Sequence, residues 1–271
     1  MKYVIITLFI LFISFNCSEQ KEKTTNEGPS IKTEEVSYTA NGITLKGFLA
    51  YDENKKDKKP GVIVVHEWWG NNEYSRERAE MLAELGYVAL AIDMYGDGKQ
   101  ADNPDDAGKF ATEVMQNMET AKAKFDAGVN FLKAQPQTDS NRIAAIGYCF
   151  GGGVVLHMAL AGDDLNGVVS FHGSLPADTV NNPKQVKAKL LVCNGADDPF
   201  VPKEQVDKFE KAMDDADVDY KLVNYLGAVH AFTNPAVDSV GKKFNIPIAY
   251  NKPADEKSWG EMKEFLTEIF K

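Results

Sequence analysis

From Val36 to the C-terminus the hydrophobic positions switch repeatedly between two periods, and the switching predicts the architecture. VSYTANGITLKGFLAY, Val36 to Tyr51, alternates apolar with polar residues on either side of Asn41-Gly42, a two-residue turn signal, and reads as a β-hairpin. GVIVV, Gly61 to Val65, is instead a short β-branched run, the mark of a strand buried on both faces. Tyr74 to Leu85 then spaces Ala79, Leu82, Ala83 and Leu85 as one face of a helix that stops at Gly86. The exchange repeats through strand VALAI from Val88, a long helical segment from about Pro104 to Ala134, strand RIAAI from Arg142, helix Phe150 to Ala161 and strand GVVSF from Gly167. It closes with strand Lys189 to Cys193, helix Glu204 to Asp215, strand Tyr220 to Tyr225 and helix Asp255 to Phe270. Strands alternating with helices imply an α/β fold, a mostly parallel central sheet with helices on both faces, entered through an antiparallel hairpin.

That pattern fills residues 34–271 without a repeat or a break in composition, and 44% apolar content in a chain of 271 residues is enough for one large core. What precedes it differs. Lys2 followed by YVIITLFILFISF, Tyr3 to Phe15, has the charge and apolar run of a signal peptide and is short for a membrane span. Residues 1–17 are therefore expected to direct export from a bacterial cytoplasm, leaving the protein periplasmic or anchored to the membrane. Cys17 stands where a lipoprotein is cut and acylated, although Phe15 and Asn16 fit the small-residue preference there poorly. Ser18 to Ser30 has no apolar side chain, so 18–33 is expected to be a solvated linker.

Charge narrows the partners. Acidic residues outnumber basic ones 40 to 30, for a net charge of -10, and only Arg76, Arg78 and Arg142 carry guanidinium, which argues against a nucleic-acid binder. Cys149 and Cys193 end separate buried strands and are expected to be two unrelated thiols rather than a disulfide.

Polar and aromatic groups collect at the carboxyl ends of the predicted strands, the edge where such sheets bind ligands. GVIVV runs into His66-Glu67-Trp68-Trp69-Gly70, VALAI into Asp93-Met94-Tyr95-Gly96, RIAAI into GYCFGGG, KLLVC into NGADD, and KLVNY into the loop that carries His230. In GYCFGGG, Gly147, Cys149 and Gly151 have the spacing of a strand-turn-helix elbow that lifts a nucleophile above the sheet. Cys149 would open the next helix, whose N-terminal partial charge favours a thiolate. An elbow enzyme needs an acid and then a base further along the chain. Of the four histidines only His230 follows the acidic loop, and Asp197 and Asp198 are both candidates for the acid.

Together GYCFGGG, ADDPFVP and GAVHAF resemble the dienelactone hydrolase family of α/β-hydrolases, over a span from about Val36 to the C-terminus. The resemblance implies the α/β-hydrolase fold and a Cys-His-Asp triad. It selects Asp198, because the family's acid stands a two-residue step before Val-Pro, here Val201-Pro202; Asp197 is then left to cap the turn. It also identifies Glu67 with a glutamate beside the thiol, where a carboxylate would share a proton with Cys149. The backbone N–H groups of Trp68 and Phe150 become the implied oxyanion hole. The chain departs from the family at two arginines expected to grip a substrate carboxylate: the matching positions hold Asp97 and Asn234. Neither can bind an anion as a guanidinium does, so a neutral or weakly polar ester or lactone is expected.

The expected activity is hydrolysis of a small-molecule ester or lactone through a cysteine thioester. Trp69, Tyr95 and Phe232 are expected to contact substrate beside Trp68, under a rim formed by Gly96 to Asp106. No metal and no organic cofactor is called for, since the histidines lack metal-ligand spacing and the glycines are spaced for an elbow rather than a phosphate cradle. Two other classes are compatible with the same residues: a non-catalytic module that holds an apolar ligand in the aromatic mouth, and an acyltransferase that passes the acyl group to an acceptor other than water.

Overall fold

The computed structural model describes residues 28–176, 180 and 182–271. The expected signal peptide, Cys17 and most of the expected linker lie outside them. Strands β1 (Ile31–Ala40) and β2 (Ile43–Asp52) form the hairpin, with Asn41 and Gly42 both at positive φ, 50° and 78°, as a two-residue hairpin turn requires. Strand β1 begins inside the segment expected to be linker, because Ile31 already pairs with Asp52.

The chain continues through β3 (Lys59–Val65), α1 (Glu73–Glu84), β4 (Val88–Ile92), α2 (Pro104–Met115), α3 (Met118–Lys133), β5 (Thr138–Tyr148) and α4 (Phe150–Leu160). It ends with β6 (Gly167–Phe171), β7 (Lys189–Gly195), α5 (Lys203–Asp215), β8 (Tyr220–Tyr225), α6 (Val237–Phe244) and α7 (Lys252–Ile269). The strands form one sheet in the order β1-β2-β4-β3-β5-β6-β7-β8, parallel from β4 through β8 and joined antiparallel to the hairpin.

Successive residues of the inner strands point to opposite faces, and both faces are covered. Ile63, Val65, Leu90 and Ile92 pack with Phe125 of α3, Val154 of α4 and Phe209 of α5, while Val62, Val64, Ala89 and Ala91 pack with Leu82 of α1 and Met262 and Leu266 of α7. This explains why these strands read as continuous apolar runs. The long helical segment, expected to be one, is two helices: Gln116 ends α2, and the Asn117 side chain accepts from the Thr120 N–H at 3.1 Å to cap α3. Helix α6 carried no recognised signal, being only eight residues long.

Strand order reverses between β3 and β5, with β4 on one side and β6 on the other. A crevice opens at such a point beyond the carboxyl ends of the strands. The segments that leave β3 and β5 there carry Glu67 and Cys149.

Candidate active site

The elbow at Cys149 is built by close backbone approach. A Cβ on Gly147 would stand 2.1 Å from the Gly151 carbonyl oxygen, and one on Gly151 would stand 2.3 Å from that of Val65. Only glycine lets β5, α4 and the end of β3 come so near. Cys149 itself has φ 53° and ψ −115°, a conformation held because its N–H donates to the Phe171 carbonyl at 3.0 Å and to His172 Nδ1 at 3.1 Å. Phe150, the first residue of α4, keeps an N–H that has no acceptor within the helix.

The loops after β7 and β8 bring an acid and a base to the same place. His230 Nδ1 lies 2.8 Å from Asp198 Oδ2, and the Cys149 thiol is in hydrogen-bonding reach of the same imidazole. The Asp198 side chain is fully buried, and its other oxygen accepts from the Phe200 N–H at 2.8 Å. Burial alone would push the imidazole down, but the charge of Cys149 and the Asp198 carboxylate raise it to about 10. The neighbouring acid points away: exposed Asp197 accepts from the Gly227 N–H at 3.0 Å and pins the turn after β8.

Glu67 lines the same cavity as Cys149 and is only 3% exposed. Burial drives its carboxyl above the usual range, opposed by an amide hydrogen bond from Asn234 Nδ2 to Glu67 Oε2 at 2.9 Å. Asn234, at one of the two positions without the expected arginine, therefore anchors a neighbouring carboxyl. The segment carrying Glu67 and Trp68 is fixed by buried His66. Its Nδ1 donates to the Glu67 carbonyl at 2.5 Å and its Nε2 accepts from the Met94 N–H at 3.2 Å, a pattern open only to neutral imidazole. Burial pushes that ring down to about 4, consistent with the pattern.

Beneath these groups lies a support network that the sequence reading missed. His172 Nε2 is 2.8 Å from Thr233 Oγ1, which is 2.6 Å from the Tyr74 hydroxyl, and Arg78 Nε donates to that hydroxyl at 3.2 Å. The Arg78 guanidinium also donates to the Thr233 carbonyl and, at 2.8 Å, to Asp255. The His230 loop is thus tied to α1 and α7, and the elbow N–H is tied to that loop. His172 had one signal, its place at the carboxyl end of β6; Arg78 and Thr233 had none, because their contacts join distant segments.

A cavity of about 420 Å³ opens beside Cys149. Its walls come from the aromatic turn (Trp68, Trp69), from α2 (Ala111, Met115) and from the segment after His230 (Val237, Ile246, Ile248). Among the described residues, Glu67, Cys149 and His230 are its only titratable lining residues, and no lysine or arginine lines it. Two expected substrate contacts need correction. Phe232 is fully buried behind the site, edge-on to His172 with ring centroids 5.3 Å apart, and Tyr95 is only 6% exposed, its hydroxyl donating to the Trp68 carbonyl at 2.8 Å. Both shape the wall from behind. The segment Gly96 to Asp106 is not part of this wall either: Ala101 and Asp102 border a second cavity, and α2 takes the expected place. Exposed Asp97 also lies outside the cavity wall.

Comparison with known proteins agrees with this arrangement of strands and loops. Protein usf of Aquifex pyrophilus is 36% identical over 237 residues, which cover 86% of this chain and 98% of that protein. A protein of Aquifex aeolicus provisionally named carboxymethylenebutenolidase is 32% identical over 210 residues, 76% of this chain and 89% of its own. Among solved structures, a dienelactone hydrolase-like promiscuous phosphotriesterase from metagenomic libraries matches with a TM-score of 0.83 at 33% identity, over 89% of this chain and 99% of that one. The family model for the dienelactone hydrolases matches residues 45–270, so the chain belongs to the dienelactone hydrolase family.

Proposed function

We propose that this carboxylic ester hydrolase of the dienelactone hydrolase family cleaves a neutral ester or lactone through a thioester at Cys149. The observation that carries the reading is His230, held by Asp198 at 2.8 Å on one side and within reach of the Cys149 thiol on the other, at the edge of an apolar cavity. His230 takes the thiol proton, and the thiolate adds to the substrate carbonyl. The N–H groups of Phe150 and Trp68 receive the negative oxygen that forms. Collapse of the tetrahedral adduct breaks the ester C–O bond, and the imidazolium gives its proton to the departing alkoxide. A water then loses a proton to His230, attacks the thioester and expels the Cys149 thiolate, which recovers its proton. Asp198 stabilises the imidazolium in both halves of the cycle. Burial of Glu67 disfavours its charged form and so weakens its repulsion of the thiolate.

Among the described residues no lysine or arginine lines the cavity, which supports an uncharged acyl group, since a buried carboxylate would find no guanidinium or ammonium partner there. Intact-protein mass spectrometry during turnover of a slow ester tests the mechanism. Wild type should gain the acyl mass on Cys149, and Cys149→Ala should neither gain it nor turn over; full activity of Cys149→Ala overturns the reading. A mild electrophile should label Cys149 well before Cys193, which is fully buried and whose thiol burial pushes up to about 12. At the N-terminus we read residues 1–17 as an export signal with acylation at Cys17; a mature peptide that begins at unmodified Ser18 or later refutes the acylation.

A further inference from the structure

The cavity beside Cys149 has a neighbour. A second cavity of about 670 Å³ lies on the far side of Trp69, and Trp69 and Val237 line both. The indole and the Val237 side chain therefore stand between the two cavities. The indole is held edge-on to Trp68 with centroids 4.9 Å apart and stacked on Phe244 of α6 at 6.2 Å and 29°. These are side-chain contacts only, so a rotation of Trp69 would join the cavities without moving the backbone that carries Glu67 and Trp68.

The volumes make the partition consequential. An apolar cavity of about 150 Å³ accepts benzene, so about 420 Å³ accepts on the order of 16 non-hydrogen atoms. A nitrophenyl butanoate fits within that number, and a nitrophenyl dodecanoate exceeds it. The second cavity has the apolar surface to take the excess, from Val237, Val240 and Phe244. Among the described residues its border is acidic, with Glu73, Glu77 and Asp102 against one cation, Lys243, whose ammonium already sits 4.6 Å over the Phe244 ring.

We propose that Trp69 is the residue that sets the substrate length limit: esters larger than the first cavity extend past its indole into the second, and the acidic border admits an uncharged chain end and disfavours a carboxylate. The proposal rests on Cys149 as the acylated residue, and its test separates the two ideas. Wild type, Trp69→Ala and Trp69→Phe would be assayed with nitrophenyl butanoate, nitrophenyl dodecanoate and the dodecanedioate half-ester, with the acyl mass on Cys149 recorded for each. Trp69→Ala should raise the dodecanoate-to-butanoate ratio of kcat/KM at least tenfold, Trp69→Phe should stay near the wild-type ratio, and the half-ester should share little of the gain. Phe244→Ala, which frees the indole from outside, should shift the ratio the same way by a smaller factor. If Cys149 is acylated but the ratio is unchanged or falls in Trp69→Ala, the partition is refuted while the thioester stands. A gain by the half-ester equal to that of the dodecanoate refutes the role of the acidic border. Failure of any ester to acylate Cys149 in wild type overturns the reading on which the proposal rests.

Discussion

Replacing Arg78 with methionine should damage both stability and turnover, although Arg78 lies outside the cavity. The side chain is 5% exposed. It donates to Asp255 at 2.8 Å, to the Tyr74 hydroxyl at 3.2 Å and to the Thr233 carbonyl, and it lies 5.2 Å from the Tyr74 ring, 5.5 Å from Tyr148 and 5.2 Å from Trp259. Methionine keeps the apolar stem and removes every donor. The Thr233 carbonyl loses a buried partner, at a cost of about 1–3 kcal/mol. Asp255 keeps only the Tyr250 hydroxyl, at 3.2 Å, as a side-chain partner, and breaking a buried ion pair costs about 3–5 kcal/mol. Because Asp255 retains 14% side-chain exposure, water recovers part of this, and about 4 kcal/mol in total is a reasonable sum. For a domain of this size that lowers Tm by roughly 8–16 °C.

Thr233 stands three residues after His230 and bonds His172, the acceptor for the Cys149 N–H, so the loss should also loosen the elbow and the base. A misplacement on the order of 1 Å costs about 10²-fold in rate. Circular dichroism melts, with kcat measured well below both transitions, test the two effects together. Arg78→Lys should fall between the two proteins, since an ammonium keeps the charge but not the fork. Melting within about 2 °C of wild type would refute the energetic argument. A large fall in Tm with kcat intact would refute the brace between Arg78 and the site.

Asp198→Asn should leave the fold intact and lower kcat on the order of 10³–10⁴-fold, and a pH profile is the informative readout. Burial opposes protonation of His230 while Cys149 and the Asp198 carboxylate favour it, so the limb of the profile that belongs to His230 should move to lower pH without the carboxylate. In Glu67, burial lifts the folded-state pKa above 4.5, so the wild type loses stability as pH rises from 4.5 through the folded value. Glu67→Gln should therefore melt higher than wild type near about pH 8, with the gain vanishing near about pH 4; a constant difference at all pH values would contradict this assignment. Gly147→Ala should fail to fold or lose activity, because its Cβ meets the Gly151 carbonyl at 2.1 Å. Gly108→Ala, in α2 with nothing within 4 Å, should instead gain about 0.5–1 kcal/mol in denaturant unfolding.

By itself the sequence determined the features written in local spacing. The period of apolar residues marked the strands of the parallel core and most of the helices, because a strand buried on both faces and a helix with one buried face differ in their repeat. The same local grammar placed Cys149 on its elbow and put His230 and the two acids beyond it at the carboxyl ends of strands. Between Asp197 and Asp198, the resemblance to a family was needed to choose, and the fold shows how differently two adjacent carboxylates are spent: one inside against His230, one outside on Gly227. The second helix of the pair α2–α3 and all of α6 were not legible, since a one-residue cap and an eight-residue helix leave too little periodicity to read.

Only the tertiary structure decided which aromatic residues face the cavity. Tyr95 and Phe232 belong to the same chemical class as Trp69 and lie in comparable loops, yet packing turns the first two into the wall's backing and leaves the third lining two cavities. The bonds from Arg78 to Thr233 and from Asn234 to Glu67 join residues 155 and 167 positions apart, and no local pattern can encode such a contact. The physical reason is range. Backbone geometry, turn chemistry and hydrophobic period act over a few residues, whereas burial, side-chain direction and hydrogen-bond partners are set only after distant segments have packed.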